Sequence, residues 1–209
     1  MTTELGFTHQ FIRGSSDRTL FLLHGTGGDE NQLVPLGREL DPAATLLSPL
    51  GKILENGNAR FFRRLAEGVF DLDDLRARTD ELAEFVKAAA VRYEFALDKL
   101  VAVGYSNGAN IAASLIFRHP GLLRSAILFR AMVPFEPEEL PDLAGTRIWL
   151  AAGKEDPLIP PDNVMRLAEL LSDAGAEVTA RMFEASHGLT NVELVMAKRW
   201  LEELRAAAG

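Results

Sequence analysis

A chain of 209 residues with 47% hydrophobic content is long enough to bury a sizeable core as one domain. Lys plus Arg number 22 against 30 Asp plus Glu, a net charge of −8, which argues against nucleic acid or an anionic membrane as the main partner, because both need a basic footprint. There is no cysteine, so neither a disulfide framework nor thiol chemistry is available.

Residues 1–10 (MTTELGFTHQ) lack the basic and apolar regions of a secretory signal. No stretch reaches the ~18 uninterrupted apolar residues of a membrane span. A soluble, cytoplasmic protein is therefore expected. The first structural signal is Thr19–Leu23 (TLFLL), a continuous apolar run ending at His24-Gly25, which reads as a buried strand. Asp29 reads as a helix N-cap with Gln32 reaching back to it, the helix continuing to about Leu40. Ala44–Ser48 is a second short strand. Residues 51–68 (GKILENGNARFFRRLAEG) show no period and read as an irregular loop.

Leu72–Tyr93 then reads as a long helix, with Leu75, Leu82, Phe85, Val86 and Ala89 at three- and four-residue spacing. Lys99–Tyr105 is a buried strand and Ala109–Phe117 an apolar helix. Ser125–Phe129 and Arg147–Ala152 read as strands, Pro161–Ala174 as a helix, Glu177–Phe183 as the last strand and Asn191–Ala208 as the closing helix. Alternating strands and helices predict an α/β domain over residues 1–209, its mostly parallel sheet covered by helices on both faces. There is no internal repeat, low-complexity tract or linker.

Gly104-Tyr105-Ser106-Asn107-Gly108 matches G-x-S-x-G. The spacing has a steric reason: small residues two positions either side of the serine let a strand and a helix approach at a sharp turn that lifts the hydroxyl clear. An apolar strand runs into the motif here and a small-residue helix runs out, which favours a nucleophile over an ordinary capping serine. A serine hydroxyl needs an adjacent base. Of the four histidines, His9 lies near the N-terminus, His119 ends a helix before Pro120, and His24 is better placed to shape the turn after the first strand. His187 follows the last strand in a glycine-containing loop, and serine–acid–histidine is the chain order of such sites. The loop after Arg147–Ala152 offers Asp156 to orient the imidazole, extended by the following proline, with Glu155 as competitor.

His24-Gly25-Thr26-Gly27-Gly28-Asp29 is a glycine-rich turn between strand and helix. Backbone N–H groups of Thr26 and Asn107 are the expected oxyanion donors. A phosphate-binding turn is the rival, but neither G-x-x-x-x-G-K-[ST] nor G-x-G-x-x-G is present.

Taken together, HGTGGDE, RFFRRLAEG, GYSNGAN, MVPF, AAGKEDP and SHGL resemble the phospholipase/carboxylesterase family of α/β-hydrolases, within it the bacterial hydroquinone-resistance-type hydrolases, over about Thr19 to Leu201. The resemblance implies a minimal α/β-hydrolase fold with little or no lid, acting on small short-chain carboxylic esters without cofactor or metal. Pairing as homodimers is implied too. A more distant similarity to acyl-protein thioesterases implies a pocket bordered by an aromatic loop that matches Arg60-Phe61-Phe62. Thioesters and aromatic-derived, hydroquinone-type metabolites are the alternative substrates. One departure is Leu50-Gly51-Lys52, where relatives tend to carry an Arg-Gly pair.

Phe61, Phe62, Met132, Val133 and Phe135 sit in loops, either as lining of a substrate cleft or as core plugs. Arg60, Arg63 and Arg64 are either attractors of a substrate carboxylate or a solvated charged face. A binding protein that keeps the fold without the chemistry is the non-enzymatic alternative, and it sits poorly with a full set of Ser, Asp and His.

Overall fold

Apolar runs with no polar interruption can only be satisfied between two layers, and here five of them form the middle of a sheet. A computed structural model describes residues 4–206. The strands are β1 (His9–Ile12), β2 (Thr19–Leu23), β3 (Thr45–Pro49), β8 (Leu100–Tyr105), β9 (Ser125–Phe129), β10 (Arg147–Gly153) and β11 (Glu177–Phe183). They make one sheet in the order β1-β3-β2-β8-β9-β10-β11, parallel throughout except for β1, which pairs antiparallel with β3. This is the α/β-hydrolase architecture. The helices are α1 (Val34–Leu40), α2 (Leu72–Tyr93), α3 (Asn107–Arg118), α4 (Pro161–Asp173) and α5 (Asn191–Ala206). None of the described helices is long and apolar enough to cross a membrane.

Side chains alternate strictly along the central strands and feed two cores. Phe21 and Leu23 of β2, Ala102 of β8, Leu128 of β9 and Leu150 of β10 pack with α2, α3 and α4. Leu20 and Leu22, Val101 and Val103, Ile127 and Phe129, Trp149 and Ala151 face the other way, toward α1 and α5. Burial on both faces is what makes the strand sequences read as unbroken apolar runs.

Three expectations need correction. The helix assigned from Asp29 starts at Val34, because Pro35 near its start cannot continue a helix from residue 31. Asp29 instead closes a turn by accepting from the Asn31 N–H at 2.8 Å, and Gln32 accepts from the Gly25 N–H at 2.9 Å rather than reaching back to Asp29. The irregular loop 51–68 holds one small hairpin, which pairs β4 (Ile53–Glu55) with β5 (Asn58–Arg60), and the first strand of a second, which pairs β6 (Arg64–Ala66) with β7 (Val69–Phe70) just beyond it. Asn56 and Gly57 turn the first at φ of 51° and 83°, the left-handed pair that a two-residue hairpin needs. Last, β1 was not expected at all. Of the closing helix assigned as Asn191–Ala208, residues 207 and 208 lie outside the described residues.

Candidate active site

Ser106 stands where β8 ends and α3 begins, with φ 54° and ψ −115°. A side chain at positive φ is strained by roughly 1–3 kcal/mol, and the surroundings must hold it there. They do so with two bonds: the Ser106 N–H donates to Phe129 O at 2.9 Å, and Ser106 O accepts from the Asn110 N–H at 3.0 Å. The flanking glycines are obligatory. A Cβ on Gly108 would lie 2.0 Å from Leu23 O, and one on Gly104 would lie 2.6 Å from the Ala109 Cα. The turn can close only because both positions lack a side chain.

His187 Nε2 lies 3.0 Å from Ser106 Oγ, and His187 Nδ1 lies 2.8 Å from Asp156 Oδ2. With the carboxylate accepting from Nδ1–H, Nε2 is left to accept the serine proton. Asp156 is buried, and its Oδ1 accepts from the N–H groups of Leu158 at 2.9 Å and Ile159 at 3.2 Å. Those two bonds turn Oδ2 toward the imidazole. The competitor Glu155 is exposed. The Tyr105 hydroxyl donates to His187 O at 3.1 Å, and burial holds its pKa above the ordinary phenol value.

The other histidines are accounted for elsewhere. His9 bonds Phe7 O and the Tyr93 hydroxyl, and His119 bonds Asp80. His24 is fully buried beneath the glycine-rich turn. The Gly51 N–H donates to its Nε2 at 2.9 Å, so Nδ1 carries the proton and donates to Gly25 O at 2.7 Å. Burial lowers the pKa of His24, against the opposing pull of Gly25 O, Asp29 and Glu30. It is a neutral strut.

The turn at residues 25–28 is braced from three sides. Gln32 accepts from Gly25, the Gly27 N–H donates to Ala59 O at 2.9 Å, and Arg60 Nη1 donates to Thr26 Oγ1 at 2.6 Å. Among the described residues neither the Thr26 N–H nor the Asn107 N–H is spent in a hydrogen bond. The Asn107 side chain accepts from the Phe61 N–H at 2.7 Å and so ties the loop after β5 to the serine turn.

A cleft of about 340 Å³ opens over Ser106 and His187. Thr26, Arg60, Arg64 and Glu67 line its polar part, and Phe70, Met132, Leu158 and Ile159 its apolar part. Arg60 is nearly inaccessible, and burial, then the charge of Arg64, lowers its pKa against the pull of Glu55. Phe61 and Phe62 are core plugs and not lining, because both rings turn inward beneath the loop: Phe61 lies 4.6 Å from the His24 ring and Phe62 packs edge-on against Phe70 at 5.0 Å. Val133 and Phe135 also pack against the core, Val133 with its N–H bound to Asn163 Oδ1. Arg63 lies outside the lining and pairs with Asp71 at 3.0 Å. Leu50, N–H bonded to Thr8 O, is not part of the cleft. Phe70, Asn110, Leu158 and Ile159 carried no signal in sequence beyond their proximity to motif residues. No cluster of three or more His, Asp or Glu among the described residues is placed to hold a metal ion.

The dienelactone hydrolase family model matches residues 56–198, which carry the serine, aspartate and histidine described above. This chain belongs to the dienelactone hydrolase family. Within the curated relatives it is 48% identical over 195 residues to MhqD of Bacillus subtilis (strain 168), named as a hydrolase, covering 93% of this chain and 98% of that one. Among solved structures it superposes on the Bacillus cereus carboxylesterase at 45% identity with a TM-score of 0.94, covering 96% of each chain. A carboxylesterase from Mesorhizobium loti gives 38% identity, a TM-score of 0.93 and 97% coverage of both. This dienelactone hydrolase family member is an ester-cleaving hydrolase of the α/β-hydrolase fold.

Proposed function

We propose that the enzyme is a serine carboxylesterase for small, short-chain esters, working through Ser106, His187 and Asp156 by way of an acyl-enzyme. The observation that carries this is the continuous chain of contacts, 2.8 Å from Asp156 to His187 and 3.0 Å from His187 to Ser106, at the floor of an open cleft. Ser106 Oγ gives its proton to His187 Nε2 as it bonds to the acyl carbonyl carbon. The resulting oxyanion is received by the unspent N–H groups of Thr26 and Asn107, and each such donor is worth about 3–4 kcal/mol. His187 then passes its proton to the leaving alkoxide, and the tetrahedral intermediate collapses to acyl-Ser106. A water, deprotonated by His187, releases the acid and restores the serine.

Size supports the short-chain reading. The cleft volume of about 340 Å³ is at the small end of ligand sites, which run from roughly 300 to 1,000 Å³. Met132 borders it with Phe70 and is proposed to contact the acyl or alcohol group, whereas the buried Arg60 is proposed to act through its grip on Thr26. Thioesters fit the same machinery and are the second substrate class to test.

Ser106→Ala is expected to lose roughly 10⁴–10⁶-fold in kcat on p-nitrophenyl acetate and butyrate while keeping the wild-type circular dichroism spectrum. Wild-type turnover in a folded Ser106→Ala protein would end the proposal. Within a p-nitrophenyl ester series, kcat/KM is expected to fall beyond short acyl chains; a rise toward long chains would reject the short-chain assignment.

A further inference from the structure

Arg130 is the first residue after β9, held at φ 57° with no exposed surface. A guanidinium has five N–H donors, and here all five are spent. Nε donates to Ser186 O at 3.0 Å and Nη2 to Gly188 O at 2.6 Å, the carbonyls on either side of His187. Nη1 and Nη2 take the two carboxylate oxygens of Glu193, and Nη1 reaches Ala151 O at 3.5 Å. Glu193 is itself fully buried and accepts from the Thr190 N–H at 2.7 Å and hydroxyl at 2.8 Å, a capping arrangement that anchors the start of α5. Arg130 Nε also stands 3.9 Å from Asp156 Oδ2, the oxygen that bonds His187.

We propose that Arg130 is a positioning residue for catalysis: braced by Glu193, its fork clamps the backbone on both sides of His187 and sets the imidazole between Asp156 and Ser106. The proposal rests on His187 being the base. A purely structural role explains less. A buried ion pair is often no more stabilising than apolar residues of the same volume, and an apolar side chain in this position could not hold two carbonyls at fixed spacing. The planar, rigid fork suits that task, whereas a lysine ammonium is a single point on a flexible stem.

The test is the paired variant Arg130→Met with Glu193→Gln, which removes both charges together and so avoids leaving either one buried and alone. Misplacing a catalytic group by about 1 Å costs on the order of 10²-fold in rate. The folded paired variant is therefore expected to lose about tenfold or more in kcat on p-nitrophenyl acetate, with KM changed by less than about threefold. Arg130→Lys, which keeps a charge for Glu193 but cannot span both carbonyls, is expected to recover thermal stability without recovering kcat. A folded paired variant with kcat within about threefold of wild type, or one whose loss falls on KM instead, overturns the clamp. If the paired variant does not fold, the same thresholds applied to Arg130→Lys decide. His187→Ala, run alongside, separates the two claims: wild-type turnover there removes the base assignment itself, while an inactive His187→Ala beside a fully active paired variant removes only the clamp.

Discussion

Ser106, His187 and Asp156 lie 81 and 31 positions apart in pairs, yet they meet at hydrogen-bonding distance. Each was legible because a local rule marks it: a glycine on either side of the serine turn, a glycine after the histidine, a proline after the aspartate. Arg130 carried no such mark. Its meaning lies in carbonyls of residues 186 and 188, which no local pattern relates to position 130. The aromatic pair Phe61 and Phe62 was ambiguous for the same reason, since a loop ring faces cleft or core according to which way the backbone is tied, and Asn107 ties it inward. His24 gives a residue-scale prediction with a definite sign. Its pKa is lowered in the folded protein from the ordinary 6.5, so the unfolded chain takes up a proton that the native one resists. Stability is full above that value and falls as the pH drops below it, by at most about 1.4 kcal/mol per pH unit for one proton. The urea midpoint is expected to decline between about pH 7 and pH 5.5, and less steeply in His24→Gln, which is less stable at neutral pH. An unchanged slope in that variant would refute the role of His24.

At the scale of elements, what was readable depended on length and burial. Strands β2, β8, β9 and β10 announce themselves because both faces are covered. Hairpin strands of two and three residues are too short to show any period, although the Asn56-Gly57 turn was a usable hairpin signal. At the start of α1 a capping pattern at Asp29 competes with Pro35 in the sequence, and in the structure the proline decides. Loops at the carboxyl ends of β10 and β11 fit against each other with no space to spare. A Cβ on Gly153 would lie 2.3 Å from Ala185 O and 2.4 Å from Ser186 O, both backbone atoms of the histidine loop. Gly153→Ala must therefore displace that loop, and kcat is expected to fall by about 10²-fold with the far-ultraviolet spectrum preserved. An alanine variant with wild-type kcat would show that the loop position does not control the reaction.

Over the whole molecule, the order β1-β3-β2-β8-β9-β10-β11 explains why distant residues converge. Parallel strands put their carboxyl ends on one edge, where open α/β sheets bind their ligands. Ser106 follows β8, Asp156 follows β10 and His187 follows β11, so a single edge collects all three beneath one cleft. That much can be anticipated from alternating strands and helices, whereas the antiparallel β1 at the far edge and the β6–β7 hairpin bordering the cleft rest on pairings between segments too short to show a period. The proposed transfer of an acyl group to one hydroxyl at this edge underlies the whole mechanism. It is tested most directly by acid-quenching the enzyme during turnover of p-nitrophenyl butyrate and mapping the acylated peptide by mass spectrometry. A butyryl ester on Ser106, lost in His187→Ala, is the expected product. An acyl group on any other residue, or turnover with no acylated enzyme under conditions where deacylation is slowed, would contradict it.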